Sequence, residues 1–497
     1  MERGAGEGEP RLMSARFKSW AIVAGLLLMA CAPARAADGV SGPRDVAAML
    51  KSYGVRPFAP SGYLVPVHLT EQTVSAPRSS VSLTSAGGER PLELGLDLAL
   101  GARLAQPAAV EAPLVFIGYG LHIPRYGHDD FARRDLRGKI AVAIDGEPAA
   151  LPGAVSAGAR AAETWAALER AGAVGLITLP TPKSMDIPWA RQVLLSSSPG
   201  LYLSEPSLRD AAGPRFTATL NPARAAAFFA ASGHRYAEIL ALAEAGAPIE
   251  GFALNLSLKA RVTTSTRSLS SPNIVGVLPG SDPRLAREHV VVSARLDQPG
   301  VATVLAVARE LGALRTRPRR SVVFAIFAAD RQGLGARAFA GGRRAARGSV
   351  VAGLHLDMAS PQVALPGLLV PGAEESSLGQ AAAAVAAVQG LSLAAAAFAD
   401  RDLLVGAEPV SFARAGVPAL ALKLGLPSVT PEATAARFTA YVRSLAAHVA
   451  DLPAAPHWEH RSLFAPPPPR AQEQLVMPLQ MPVGRRPQRV RTLYGWG

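Results

Sequence analysis

Disulfide chemistry is excluded at the outset, because Cys31 is the only cysteine among 497 residues. Aromatic residues are sparse at 6% and charged residues make up 18%, against 49% hydrophobic. That balance excludes a disordered polar chain, and the length allows two or three domains with cores of their own. No G-x-S-x-G elbow and no P-loop occurs. The usual marks of a serine hydrolase or a nucleotide triphosphatase are therefore missing, and nothing pairs a histidine with a candidate serine. A stripe of Lys and Arg interleaved with aromatics is also lacking. Arginine supplies most of the +13 net charge, but it is scattered, which argues against a nucleic-acid partner.

Long apolar runs are absent too. The best one, "WAIVAGLLLMACA" at residues 20–32, is too short for an ordinary membrane span. Arg16 and Lys18 precede it and "APARAAD" follows, the order expected of a secretory signal peptide over residues 1–36. Met13 is the more natural start for such a signal. Two processing outcomes fit: cleavage after Ala36, or lipidation of Cys31 within "LMAC", which resembles a lipobox. Both imply an exported protein, periplasmic or secreted, with a lipid anchor in the second case. At the other end, residues 456–497 are rich in Pro and Arg and read as a flexible tail. Four consecutive prolines at 466–469 forbid a helix there.

Between these ends the pattern divides in three. Residues 37–108 begin with the helical "PRDVAAMLKSYG" and continue in short, turn-rich segments. Residues 109–250 hold the buried-strand runs "APLVFIGYG" and "GKIAVAIDG", an amphipathic helix through Trp165 and Leu168, and the strand "VGLITL". Gly118, Gly120 and Gly138 read as turn residues. Residues 251–455 alternate strands ("NIVGVLP", "HVVVSARL", "SVVFAIFAA", "VVAGLHLDM", "PALALKLG") with helices. Those helices are "VATVLAVARELGAL", "LGQAAAAVAAVQG" and "PEATAARFTAYVRSLAAHVADL". Nearly continuous apolar strands indicate a sheet covered on both faces, so the expected class is α/β, doubly wound and mostly parallel. The functional edge of such a sheet lies at the carboxyl ends of its strands. There the sequence places Arg295 and Asp297, Asp330 and Arg331, Asp357, and the pair Glu408–Pro409.

"SPNIVGVLPGSDPRLAREHVVVSARLD", "RPRRSVVFAIFAADRQGLGARAF", "VAGLHLDMAS" and "SFARAGVPALALKLG" together resemble the co-catalytic zinc aminopeptidases of peptidase clan MH. The 109–250 unit resembles the protease-associated (PA) domain inserted into many secreted members of that family. The resemblance implies the zinc aminopeptidase fold with such an insertion. It also implies two zinc ions on five ligands (His, a bridging Asp, Glu, Asp and His) with a further Glu as general base.

In that correspondence the first ligand slot holds Arg295, whose guanidinium has no lone pair to give. Asp297 keeps the supporting Asp of the motif. The loop that would carry the bridging Asp is missing, because "LDQPG" passes straight into a helical run. Asp330 takes the general-base position one methylene short, and Arg331 the next ligand position. Asp357 is the only ligand position retained, and Pro409 replaces the last His. The reading is therefore a pseudopeptidase with no bound cofactor and a peptide- or protein-binding role. The alternative is an active metallo-exopeptidase with a non-standard metal site. His355, two residues before Asp357, and "HWEH" at 457–460 are the remaining metal-capable groups, the latter expected to be solvated in a linker. Ion pairs of Arg295 and Arg331 with Asp297, Asp330 and Asp357 are the expected substitute for the metals, solvated arginines being the alternative. "GLGARA" at 333–338 reads as a turn into a helix rather than a dinucleotide fingerprint.

Overall fold

The computed structural model describes residues 42–132, 134–151, 156, 159–160, 163–185, 187–296, 299–327, 332–342, 350–356, 367–393, 407–424, 429–460 and 462–465. The N-terminal segment with Cys31 and the tail from residue 466 lie outside them. Nineteen strands are present among these residues. In chain order they are β1 (Arg56–Pro57), β2 (Leu64–Val74), β3 (Ser80–Ser85), β4 (Gly88–Leu92), β5 (Leu98–Leu100) and β6 (Ala109–Phe116). The hairpin strands β7 (His122–Ile123) and β8 (His128–Asp129) follow, then β9 (Ile140–Ile144), β10 (Gly175–Leu179), β11 (Gly200–Leu203) and β12 (Phe216–Leu220). The last group is β13 (Phe252–Arg261), β14 (Thr264–Leu278), β15 (His289–Arg295), β16 (Ser321–Phe327), β17 (Val350–Leu356), β18 (Leu368–Leu369) and β19 (Ala419–Leu424).

The first sheet has the order β11-β2-β14-β16-β15-β17-β19-β18, with β1 added on β14. Its centre, β16-β15-β17-β19, is parallel, and its flanks are antiparallel. Every residue of β16 is buried, and β15 is buried except at its two ends. Helices on both faces account for this. On one face Val290, Val292 and Ala294 pack under α1 (Pro43–Ser52), α6 (Gly300–Gly312), α8 (Leu378–Val388) and α10 (Pro431–Asp451). On the other, Val291, Val323 and Phe327 pack under α7 (Leu334–Ala340) and α9 (Ala407–Arg414), through Phe339 and Phe412. The α/β class with a parallel, doubly covered centre is thus the observed one.

The second sheet has the order β4-β3-β13-β6-β9-β10-β12-β5, again with four parallel strands, β6-β9-β10-β12, inside antiparallel flanks. It is covered by α2 (Thr164–Arg170) through Ala167 and Leu168 on one side. On the other it is covered by α4 (Ala226–Phe229) and α5 (Tyr236–Glu244) through Phe228, Phe229 and Ile239. One further helix, α3 (Trp189–Ser196), donates its Trp189 indole to the Gly95 carbonyl at 2.8 Å. The sheet takes in residues on both sides of the 109–250 segment, since β3, β4 and β5 come before it and β13 after it. Gly118, Gly120 and Gly138 have φ of 68°, 69° and 67°, the left-handed turn conformation that glycine adopts without strain.

The two sheets are stitched together at several points. Strand β11 leaves the second unit to pair with β2 at the edge of the first sheet. Gln72 of β2 donates to the Ala102 and Leu104 carbonyls and accepts from the Gln106 N–H at 3.3 Å. Asp210 takes a third role: its Oδ1 accepts from Arg337 of α7 at 2.9 Å and from Arg414 of α9. Burial pushes the Asp210 carboxyl up, but the two guanidinium charges and their hydrogen bonds outweigh it and hold it below the usual range. No helix of the described residues is long and apolar enough to cross a membrane.

Candidate functional site

The carboxyl ends of the parallel centre are where this architecture gathers functional groups. Strand β15 ends at Arg295, and α6 begins at Gly300, so only residues 296–299 connect them. Leu296 is still tied to the sheet, its N–H donating to the Phe327 carbonyl at 3.0 Å. Gly300 explains how the helix can follow so closely. A Cβ there would lie 2.9 Å from the Leu356 carbonyl and 3.1 Å from the Ala294 Cβ, so the first turn of α6 sits on the ends of β15 and β17.

Side chains alternate along a strand, so Arg295 projects to the same face as Ser293, the face covered by α7 and α9. Arg295 is half-buried. Behind it lies a fully buried polar chain. Ser293 and His355 are register partners on β15 and β17, and Ser293 Oγ is 3.2 Å from His355 Nδ1. On its other side, His355 Nε2 is 3.6 Å from Glu408 Oε2, a loose contact rather than a hydrogen bond. All three residues are at most 4% exposed. Ser293 and His355 pair in a buried layer with the Glu408 carboxylate beside them, which suits a structural polar core.

Helix α9 brings Glu408 into that chain. Pro409 is the next residue, buried in the first turn, where the missing N–H costs no helix hydrogen bond. Two further buried groups fix α7 beside it. Ser411 Oγ donates to the Gly333 carbonyl at 3.3 Å, and Asn273 Nδ2 donates to that of Gly335 at 2.8 Å. Gly333 has φ 67° and opens α7, so the "GLGARA" stretch serves as a turn into a helix, as its pattern implies.

Of the sequence-predicted site residues, the structure describes Arg295 at the end of β15 and Pro409 in α9. Neither side chain offers a lone pair to a metal. Asp297, Asp330, Arg331 and Asp357 lie outside the described residues, as does Cys31, so the expected Arg–Asp pairs are not among the described contacts. His355 was readable as a candidate ligand beside Asp357; its pairing with Ser293 was not, because strand register is invisible in a single sequence. Among the described residues no three His, Cys, Asp or Glu side chains are grouped as a metal ion requires.

The 457–460 stretch departs from the solvated linker expected of it. Trp458 pairs with Ser376 as a β-bridge, and its indole donates to the Gly416 carbonyl at 3.1 Å. Its ring stacks at a tilt on Phe464, 5.4 Å between centroids. The aromatic pair anchors the segment, while His457 and His460 stay exposed.

Comparison with known proteins finds several likenesses. Among solved structures, the chain is similar to an aminopeptidase from Aneurinibacillus sp. strain AM-1 (16% identity, 82% of this chain and 86% of that one, TM-score 0.41). It is also similar to a peptidase M28 precursor from Shewanella amazonensis SB2B (16% identity, 83% and 88%, TM-score 0.35). A third likeness is to a zinc aminopeptidase from Bacillus subtilis (16% identity, 82% and 87%, TM-score 0.32). No curated protein matches the chain. The model of Peptidase family M28 matches residues 273–462 of this chain.

Proposed function

We propose that this protein is a peptidase-fold chain without a catalytic dizinc centre, which holds a peptide or protein ligand rather than cleaving one. The observation that carries the reading is the four-residue passage from Arg295 to Gly300. By the family resemblance, that passage is where a metal-binding His and a loop with the bridging Asp belong. Here the first turn of α6 occupies the space, and a guanidinium stands at the strand end. Pro409 at the last ligand position points the same way. The residues present do not fit a pair of zinc ions. The ligand surface in this reading is the former substrate cleft or the PA-like second unit. Export through residues 1–36, with or without lipidation at Cys31, belongs to the same proposal.

One observation favours a second reading, an active metallo-exopeptidase with a non-standard site. His355 and Glu408 converge beneath the strand ends, two residues before Asp357 and one before Pro409 respectively. The two readings separate cleanly. Purified protein is analysed for bound metal and offered a panel of aminoacyl and peptide substrates. The expected result is no stoichiometric zinc and no turnover. Stoichiometric zinc, with hydrolysis abolished by Asp357→Ala, would overturn the first reading in favour of the second.

A further inference from the structure

Arginines that are scattered along the sequence are gathered by the fold. The loops 279–288 and 313–320 enter β15 and β16 side by side, at the amino-terminal edge of the first sheet and opposite Arg295. They are fastened to each other as one rim. The Ser281 N–H and Oγ donate to the Pro318 and Arg317 carbonyls, each at 2.9 Å, and the Asp282 N–H donates to that of Arg319 at 3.2 Å. A Cβ on Gly280 would collide with the Arg319 carbonyl, so the two backbones touch there.

Charge on this rim is one-sided, and the contacts show why. Its carboxylates are occupied. Asp282 Oδ2 accepts from Arg319 at 2.8 Å and Glu288 Oε2 from the buried Arg320 at 2.6 Å, while Asp451 Oδ1, at the end of α10, accepts from the Arg319 N–H at 2.7 Å. Arg284, Arg287, Arg315 and Arg317 are left over. None of them has an ion-pair partner among the described residues, and all but the half-buried Arg317 are exposed. Lys51 and Arg56, exposed and likewise unpaired, extend the surface. The end of α1 abuts that of α6, where a Cβ on Gly312 would collide with the Tyr53 carbonyl, and Arg56 pairs with Val277 near the end of β14. Independently of charge, the rim presents an apolar side chain: Leu314, next to Arg315, is 40% exposed.

We propose that this rim is a docking surface for an anionic phospholipid bilayer, with the arginines among the headgroup phosphates and Leu314 entering the interface between them. Charge complementarity selects the partner, because the attraction of fixed cations to a sheet of phosphates adds up residue by residue. The leucine favours a bilayer over other polyanions, since a bilayer has an apolar layer to receive it. A nucleic acid suits the rim less well. Neither loop carries an aromatic ring on which bases could stack, and the cations sit on loops rather than on a helix or ribbon that could enter a groove. The surface lies across the sheet from Arg295, so it holds whether or not the carboxyl edge is catalytic.

Co-sedimentation of the full chain with vesicles tests the proposal, using phosphatidylcholine alone and phosphatidylcholine mixed equally with phosphatidylglycerol. Binding to the anionic vesicles only, weakened by added salt, is expected. Arg284→Gln, Arg287→Gln and Arg315→Gln should each weaken it about fivefold. Their side chains have no hydrogen-bond or ion-pair partner among the described residues, so the melting temperature should not move. Leu314→Ser should weaken binding at high salt as well as low, which a purely electrostatic surface would not show. Hydrogen exchange locates the contact: anionic vesicles should slow it at residues 313–317. Binding that survives replacement of all three arginines together places the contact elsewhere on the chain and overturns the proposal. Equal binding to both kinds of vesicle does the same. Tighter binding to a duplex oligonucleotide than to anionic vesicles at equal phosphate concentration, lost in the same variants, would make the rim a nucleic-acid surface instead.

Discussion

The two sheets share a plan and differ in what they do with it. Each has four parallel strands at its centre and antiparallel strands outside. In the first, the strand ends run onto Arg295 and the buried Ser293–His355–Glu408 chain. In the second, the parallel strands end among glycine turns, and the Tyr119 hydroxyl buried there is taken by the Ala247 carbonyl at 2.7 Å. Burial, with the Asp130 charge adding to it, pushes that phenol up to about 12, so it stays neutral. The lesson is that a parallel sheet edge is only a place where chemistry can be assembled. What decides is which groups the following residues deliver. In the first sheet they deliver a cation and a proline, and in the second they deliver turns.

That contrast can be broken most forcefully where the two units meet. Asp210→Ala leaves Arg337 and Arg414 facing each other without their shared carboxylate. It should destabilise the protein by about 2–3 kcal/mol, seen as a lower denaturation midpoint. Hydrogen exchange should then rise in α7 and α9 of the first unit as well as around Asp210. Loss of protection in one unit alone would mean that the ion triad does not couple them.

A smaller effect is expected at the first sheet's edge. If Arg295 is held by neighbouring carboxylates in place of metal, Arg295→Ala should lower stability by roughly 1 kcal/mol. An unchanged melting temperature would mean a solvated arginine. The smallest effect belongs to the hairpin of the second unit, where His128 Nε2 lies 3.0 Å from Asp130 Oδ1. The hydrogen bond to Asp130 is the main cause that raises the His128 imidazole above its usual 6.5, against the opposing effect of burial; the Asp130 and Asp129 charges add to it. A raised folded value means that the pair's contribution is complete below pH 6.5 and fades as pH climbs through the folded value. An NMR titration should place His128 above 6.5 and should return it toward that value in Asp130→Asn. A titration unaffected by Asp130→Asn would remove the pair from the account.

The sequence was legible where burial is two-sided. "VVVSA" and "SVVFAIF" could hardly be anything but central strands, and their helices announced themselves by period. The flanks were harder. Strand β2, "LVPVHLTEQTV", mixes Pro66, His68 and Glu71 into an edge region and reads as turn-rich chain. The outer half of β14, "TSTRSLSSP", is polar because solvent covers it. At the candidate site, the identities of Arg295 and Pro409 were plain, and so was the brevity of the connection after Arg295. The Ser293–His355 contact depends on register, and the Trp458 anchor depends on tertiary docking. Neither leaves a mark in a single sequence.

The pairing of β2 with β14 has a consequence for how the protein is made. Val74 pairs with Thr264, so the whole of segment 75–263 is synthesised before β2 can find its main partner. At ribosomal speeds that is a wait on the order of ten to forty seconds. During it, β2 exposes one unpaired edge, and β11 can cover only the other. The second sheet, β13 included, is complete in the nascent chain before β14 emerges. Biosynthesis would thus build the inner unit first and close the outer one around it.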